Sequence, residues 1–329
     1  MRRITTVVVA ITLGFLSSAF GQDGTAVKVG YLHTLAVDGH LWIGIENGFF
    51  EKYGLEIEPV PFNSGVPLAQ ALSGGSVDVA IMGAVISNIP SRGVGKVFLV
   101  NNIEAGTAMI YVQGDSGIES VSDLAGQEVS TTSGTTAHVM LATALQANEI
   151  DPNAAEVVNM DMAAAVSAFI NGAVPAVATW WPYNTQIAEQ SPDARLLATA
   201  KEYFPEAAIM GGWVANTRFY NENRGTLINI AKAWLDANAS LVSNTGDSLA
   251  QLQATQYQTF DVADLEEGYT LLNTFDNAAW NERYQDGTVE NWIGQVEQVF
   301  VDIGALETFV DPAEFFDSSI FLEAYGATQ

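Results

Sequence analysis

The chain has 329 residues, a formal charge of −26 and no cysteine. Without cysteine there are no disulfides, thiolate metal sites, cysteine nucleophiles or lipid-bearing cysteine. A field this negative repels nucleic acid and anionic lipid, and works against capture of an anion by a simple basic patch.

Met1-Arg2-Arg3 precedes an apolar run to Phe20, and Ala19-Phe20-Gly21 places small residues where a signal peptidase cuts. A signal peptide over residues 1–21 is expected. The run is short for a membrane anchor and has no basic stop behind it. Removing it takes away two arginines and no acids, which leaves a charge of −28 on about 308 residues, enough for two domains. Export without a lipid anchor points to a Gram-negative periplasm.

Residues 27–32 alternate and predict a first strand, followed by a polar loop over 33–39 and a helix over 41–50. Strands follow at 55–61, 77–82 and 97–100, with helices at 66–72 and from Gly83 to about Arg92. This β–α alternation argues for a parallel sheet. A strand at 108–112 then leaves the unit. A helical turn at 121–125 leads to a strand at 128–131, and a Ser/Thr/Gly loop opens a helix over 137–146. Further strands are expected at 157–160, 176–179 and 195–198, with a helix at 163–171 between the first two. Residues 210–215 predict a strand that crosses back. Helices are expected at 226–243, 248–257, 262–275, 289–303 and from Ser319.

The arrangement implied is two α/β units, one inserted into the other. Residues 22–113 with 214–329 form lobe one, and 114–213 form lobe two. Bending is expected near Gly114 and Gly211-Gly212, where glycine absorbs backbone rotation.

Ala176-Val177-Ala178-Thr179-Trp180-Trp181-Pro182-Tyr183 is a buried strand that ends in aromatic rings at a sheet's carboxyl edge, where ligands of open α/β folds sit. Each tryptophan meets either a ligand or the core. Thr34, Ser64-Gly65, Gly83-Ala84 and Ser133 to Thr136 mark loop ends or helix starts, where oriented N–H groups and hydroxyls bind anions or simply cap the helix.

Four segments carry a family resemblance: Glu46-Asn47-Gly48-Phe49-Phe50 through Gly54-Leu55, Ala71-Leu72 through Asp78, Asp123-Leu124-Ala125-Gly126, and Trp180-Trp181-Pro182. In this order they resemble the periplasmic binding proteins of nitrate, sulfonate and taurine transporters. The resemblance implies a type II periplasmic binding protein fold, two Rossmann-like lobes with a hinge and a central cleft. It also implies a monomer that delivers a small molecule to an ABC permease and its ATPase, with no catalysis, cofactor or metal. Thr135-Thr136 corresponds to a Thr-Thr pair of taurine-binding relatives. Their ammonium-binding carboxylates match Thr107 and Gly211 here, so both acids are replaced, with Asp161, Glu104 or Asp38 as substitutes. An aromatic cage from Tyr31, Trp42, Trp180, Trp181, Tyr183 and Trp213 offers another way to hold a quaternary ammonium or sulfonium zwitterion. A sensory protein presenting the same ligand to a receptor is equally compatible. His33, Asp38 and His40 could be drawn as a metal site, but three scattered histidines usually belong to the surface or the core.

Overall fold

Ten strands form in the computed structural model, which describes residues 24–328; the expected signal peptide lies outside them. They are β1 (Thr25–Leu32), β2 (Leu55–Phe62), β3 (Val79–Met82), β4 (Lys96–Ile103), β5 (Ala108–Val112), β6 (Glu128–Thr131), β7 (Glu156–Asn159), β8 (Ala176–Trp180), β9 (Arg195–Thr199) and β10 (Met210–Ala215). One sheet has the order β2-β1-β3-β10-β4 and the other β7-β6-β8-β5-β9. Each joins parallel strands to antiparallel ones: β10 runs against both β3 and β4, and β5 against both β8 and β9. Strands such as β3 are buried along their whole length, which is why they read as unbroken apolar runs.

The chain changes sheet twice. β5 pairs with β8 and β9, so the first crossing falls between Ile103 and Ala108, upstream of the expected boundary at 113. β10 pairs with β3 and β4, so the return is complete by Met210, ahead of the expected 213. The two crossings run side by side: Glu104 N–H donates to the Ile209 carbonyl at 2.8 Å. The C-terminal segment clamps the same place, with Gly106 N–H donating to Leu271 O at 2.6 Å. Gly114 is not at a crossing. A Cβ there would press on the Asp193 backbone, so its bareness serves packing beside β9. Gly211 and Gly212 lie within β10 and let its backbone approach Met82 O and Leu99 O.

The expected polar loop at 33–39 is mostly helix. The helix Leu35–Glu46 starts after Thr34, whose backbone is extended, and carries Asp38 in its first turn, where the helix dipole favours an acid. Asp38, Gly39 and His40 are all buried. Their polarity suggested a loop, yet Asp38 is bonded to His33, Trp42 and Tyr257 and His40 Nε2 to Asn238 Oδ1. The chain breaks at Asn47 and at Gly48, whose φ of +69° suits glycine, before the short helix Phe49–Lys52.

The C-terminal helices are Arg224–Ser243, Thr245–Thr255, Val262–Thr270, Asn277–Gln285, Thr288–Asp302 and Ser318–Thr328, of which the first packs on β2 and the last on β4. Asn277–Gln285 was not expected, and Val262–Thr270 stops earlier than the pattern suggests. Thr288–Asp302 also reaches the second lobe, where Gln146 Nε2–H donates to Asp302 Oδ2 at 2.6 Å. Inside, Asn101 Oδ1 accepts the indole N–H groups of Trp213 at 3.1 Å and Trp234 at 2.7 Å. One buried amide thus satisfies two large aromatic side chains that would otherwise lose a hydrogen bond on burial.

Candidate ligand-binding cleft

The carboxyl ends of the two sheets meet between the lobes. β3 ends at Met82, and Gly83-Ala84 turns the chain into the helix Val85–Ser91. β6 ends at Thr131, and the loop 132–135 opens the helix Thr136–Ala147. These two turns touch: Ala84 N–H donates to Thr136 Oγ1 at 3.1 Å, a bond from lobe one to lobe two. Gly83 is bare because there is no room beside it. A Cβ at that position would come within 2.8 Å of Glu104 Oε1 and closer still to Thr136 Oγ1. Gly211 borders the same carboxyl, its ideal Cβ lying 3.5 Å from Glu104 Oε1.

Buried polar atoms lacking hydrogen-bond partners gather around these strand ends. They include Glu104 Oε1, Thr107 Oγ1, Thr131 Oγ1 and Thr179 Oγ1, on residues that are at most 4 % exposed. Buried polar groups are normally paired, so a run of unsatisfied ones at one sheet edge marks a place where a ligand's polar atoms would belong. Burial raises the Glu104 carboxyl to about 7, and the Thr136 hydroxyl beside it pulls the other way.

The remaining expected site residues divide. Thr135 is buried, with its hydroxyl donated to Thr132 O at 2.7 Å, so it shapes the loop. Ser133 N–H is taken by Asn159 Oδ1 at 2.9 Å. Ser64 and Thr34 precede helices without side-chain caps, and Gly65 is bare where Val85 packs against it. Asp161 is exposed and precedes the helix Met162–Ile170 without capping it, so it does not replace the missing acids in the buried cleft. Trp180 and Tyr183 are half-buried and meet edge to face at 6.2 Å. Burial, and after it the charge of Asp161, raises the Tyr183 hydroxyl.

Two tryptophans leave the expected cage. Trp213 is fully buried, gives its N–H to Asn101 and packs near Phe50 at 6.3 Å; it belongs to the core of lobe one. Trp181, 2 % exposed, points from lobe two into the C-terminal helices. There it meets Phe260 at 5.5 Å and Tyr257 at 6.4 Å, with Leu35, Ile43, Leu249 and Leu265 in the same cluster. It holds lobes together. Tyr31 and Trp42 form a separate edge-to-face pair at 5.4 Å.

A second buried acid has three side-chain donors. Asp38 accepts hydrogen bonds from His33 Nδ1 at 2.7 Å, from Trp42 Nε1 at 2.9 Å and from the Tyr257 hydroxyl. Burial raises its carboxyl, and the three donors oppose that. His33, which stacks on Tyr257 at 4.4 Å, is raised chiefly by its bond to Asp38. Through these three donors Asp38 ties the first helix to the C-terminal segment. The sequence carries no local sign of this network, because Tyr257 is remote in the chain.

Two Rossmann-like lobes, paired crossings and polar atoms at facing strand ends define a solute-binding protein of the periplasmic binding fold. The chain belongs to the NMT1/THI5 like family, which it matches over residues 39–245. It is 25 % identical over 321 residues to a binding protein of Brucella abortus, covering 98 % of this chain and 99 % of that one. It is 23 % identical over 206 residues to the taurine-binding periplasmic protein of Escherichia coli K12, covering 60 % and 62 % of the two chains. Among solved structures, the alkanesulfonate-binding protein SsuA of Xanthomonas axonopodis pv. citri, bound to MOPS, superposes with a TM-score of 0.72 at 19 % identity, covering 90 % of this chain and 99 % of that one.

Proposed function

We propose that this protein is the periplasmic solute-binding component of an ABC importer, and that it captures a small sulfonate such as taurine by closing its two lobes over it. The observation that carries this reading is the direct bond between Ala84 of lobe one and Thr136 of lobe two, set among buried hydroxyls without partners. The family membership and the names of the relatives support it.

The start of the helix Thr136–Ala147 offers free N–H groups and the positive end of a helix dipole to the anionic group, with the unpartnered threonine hydroxyls close behind. None of the five ion pairs in the described residues involves a residue at these strand ends, so a dipole-and-hydroxyl site stands in place of a basic one. Closure is favoured only by a ligand that touches both lobes at once. Delivery to a membrane permease and its ATPase follows from that role.

A thermal-shift panel of taurine, simple alkanesulfonates, betaines and sulfonium zwitterions tests the reading. A binder at a hundred times its Kd stabilises the fold by about 2.7 kcal/mol and raises the melting temperature accordingly. The expected result is a shift with sulfonates. A shift with a metal ion and with none of these compounds overturns the reading.

One observation favours a second reading. Trp180 and Tyr183 remain at the mouth of lobe two with Asp161 acting on Tyr183, the makings of a small site for a quaternary cation. A betaine response in the same panel would select it. Under either reading Trp180→Ala is expected to weaken the ligand about tenfold, the loss of roughly 1–2 kcal/mol of ring contact. Calorimetry checks this; unchanged affinity with lowered stability would make Trp180 a packing residue.

A further inference from the structure

The helix Thr136–Ala147 of lobe two touches the rest of the molecule at both ends. At its start Thr136 accepts the Ala84 N–H in the cleft. In its last turn Gln146 Nε2–H donates to Asp302 Oδ2 at 2.6 Å, outside the cleft. Thr136 and Gln146 stand about 15 Å apart along the axis, at about 1.5 Å per residue. A second donor comes from the same lobe: Asn153 Nδ2–H, in the turn before β7, donates to Asp302 O at 2.9 Å. Asp302 ends the helix Thr288–Asp302, whose last carbonyls have no partner within the helix, so lobe two caps a helix of the C-terminal segment. Gln298 Nε2–H holds the other carboxylate oxygen, Asp302 Oδ1, at 2.7 Å.

The far side of this contact is anchored to lobe one. Arg92, just past the helix Val85–Ser91, donates to the Ala305 carbonyl, next to Asp302 in the chain. Trp292, early in the helix Thr288–Asp302, meets Phe204 at 5.7 Å beside the second crossing. This helix therefore runs from the crossing to a point about 15 Å away, where side-chain amides join the lobes. Arg195 and Lys201 are the only Arg and Lys of lobe two, and Arg195 is turned to Ile118 O. Asp302 makes no ion pair among the described residues; its donors are neutral. Asp302 and Gln146 are half-buried and Asn153 is exposed, so these bonds compete with water: they bias an equilibrium and still break.

We propose that Asp302 is a positioning residue for ligand capture, a latch outside the cleft that Gln146 and Asn153 engage when the lobes close and that sets the affinity without touching the ligand. Rotation about the crossings leaves Phe204 beside Trp292 and draws Gln146 away from Asp302. The helix Thr136–Ala147 moves as one rod, so its latch end and its cleft end engage together. Losing the latch lowers the closed fraction, and the apparent affinity falls by the same factor. The inference rests on the lobe closure proposed above, and not on which ligand is captured.

Asp302→Ala, Gln146→Ala and the double variant test it, by calorimetry with taurine and by small-angle scattering without ligand. Each single variant weakens taurine about tenfold, the factor that a hydrogen bond to a charged group contributes. The double variant is no weaker than Asp302→Ala, because both substitutions remove the same bond. Asp302→Asn keeps an acceptor for Gln146 and stays within about threefold of the parent. The ligand-free Asp302→Ala chain has a larger radius of gyration than the parent. Variants that melt earlier yet keep the parent's affinity and radius of gyration overturn the inference, as does a fully additive loss in the double variant. If taurine does not bind the parent, the sulfonate reading fails, and the scattering comparison by itself decides the latch.

Discussion

Gly83→Ala is expected to weaken taurine binding by roughly 5- to 150-fold while leaving the fold intact, the equivalent of the 1–3 kcal/mol that overpacking a filled site costs. The added methyl would sit 2.8 Å from Glu104 Oε1 and nearer to Thr136 Oγ1. Both atoms belong to the contact between the lobes, and Thr136 already accepts the Ala84 N–H there. Opening the lobes removes Thr136 from the clash, so the penalty falls on the closed form and not on either lobe's core. Isothermal calorimetry measures the affinity, and small-angle scattering of the ligand-free variant should give a larger radius of gyration than the parent. Parent-like affinity with parent-like compactness would mean that Gly83 is not at the meeting point of the lobes.

Trp181→Ala is expected to have the largest effect on stability, a loss of about 3–5 kcal/mol, as for other large aromatic side chains removed from a core. Trp181 comes from lobe two, yet its neighbours Tyr257, Phe260 and Leu265 lie in the C-terminal segment. Its backbone N–H is bonded to Thr107 O at 2.9 Å, so the ring is fixed relative to the first crossing. Gly268 makes room for the indole: a Cβ there would lie 2.7 Å from a ring carbon. Denaturant unfolding of the ligand-free variant checks the prediction. A change under about 1 kcal/mol would show that the ring is not packed as described.

These two positions illustrate what could be read ahead of the structure. Gly83 was marked because it ends a buried strand before a helix, a local pattern. What lies across from it, Glu104 and Thr136, depends on how the lobes meet. Trp181 and Trp180 are adjacent and chemically alike, so periodicity could not separate them. Successive side chains of an extended strand point to opposite faces. Which face meets the cleft and which meets the C-terminal helices is settled only when those helices are in place.

The sequence by itself determined the alternation of strands and helices and the four segments that carry the family resemblance, because apolar periodicity, turn residues and caps act over a few residues. Tertiary structure alone decided that β5 joins the second sheet, that 35–46 is a buried helix, that Trp213 is core, and that Asp38 has three donors while Glu104 Oε1 has none. The physical reason is that a polar or aromatic side chain is satisfied by whatever neighbour the fold supplies. Asn101 reaching Trp213 and Trp234, or Tyr257 reaching Asp38, are partners that no local pattern along the chain encodes.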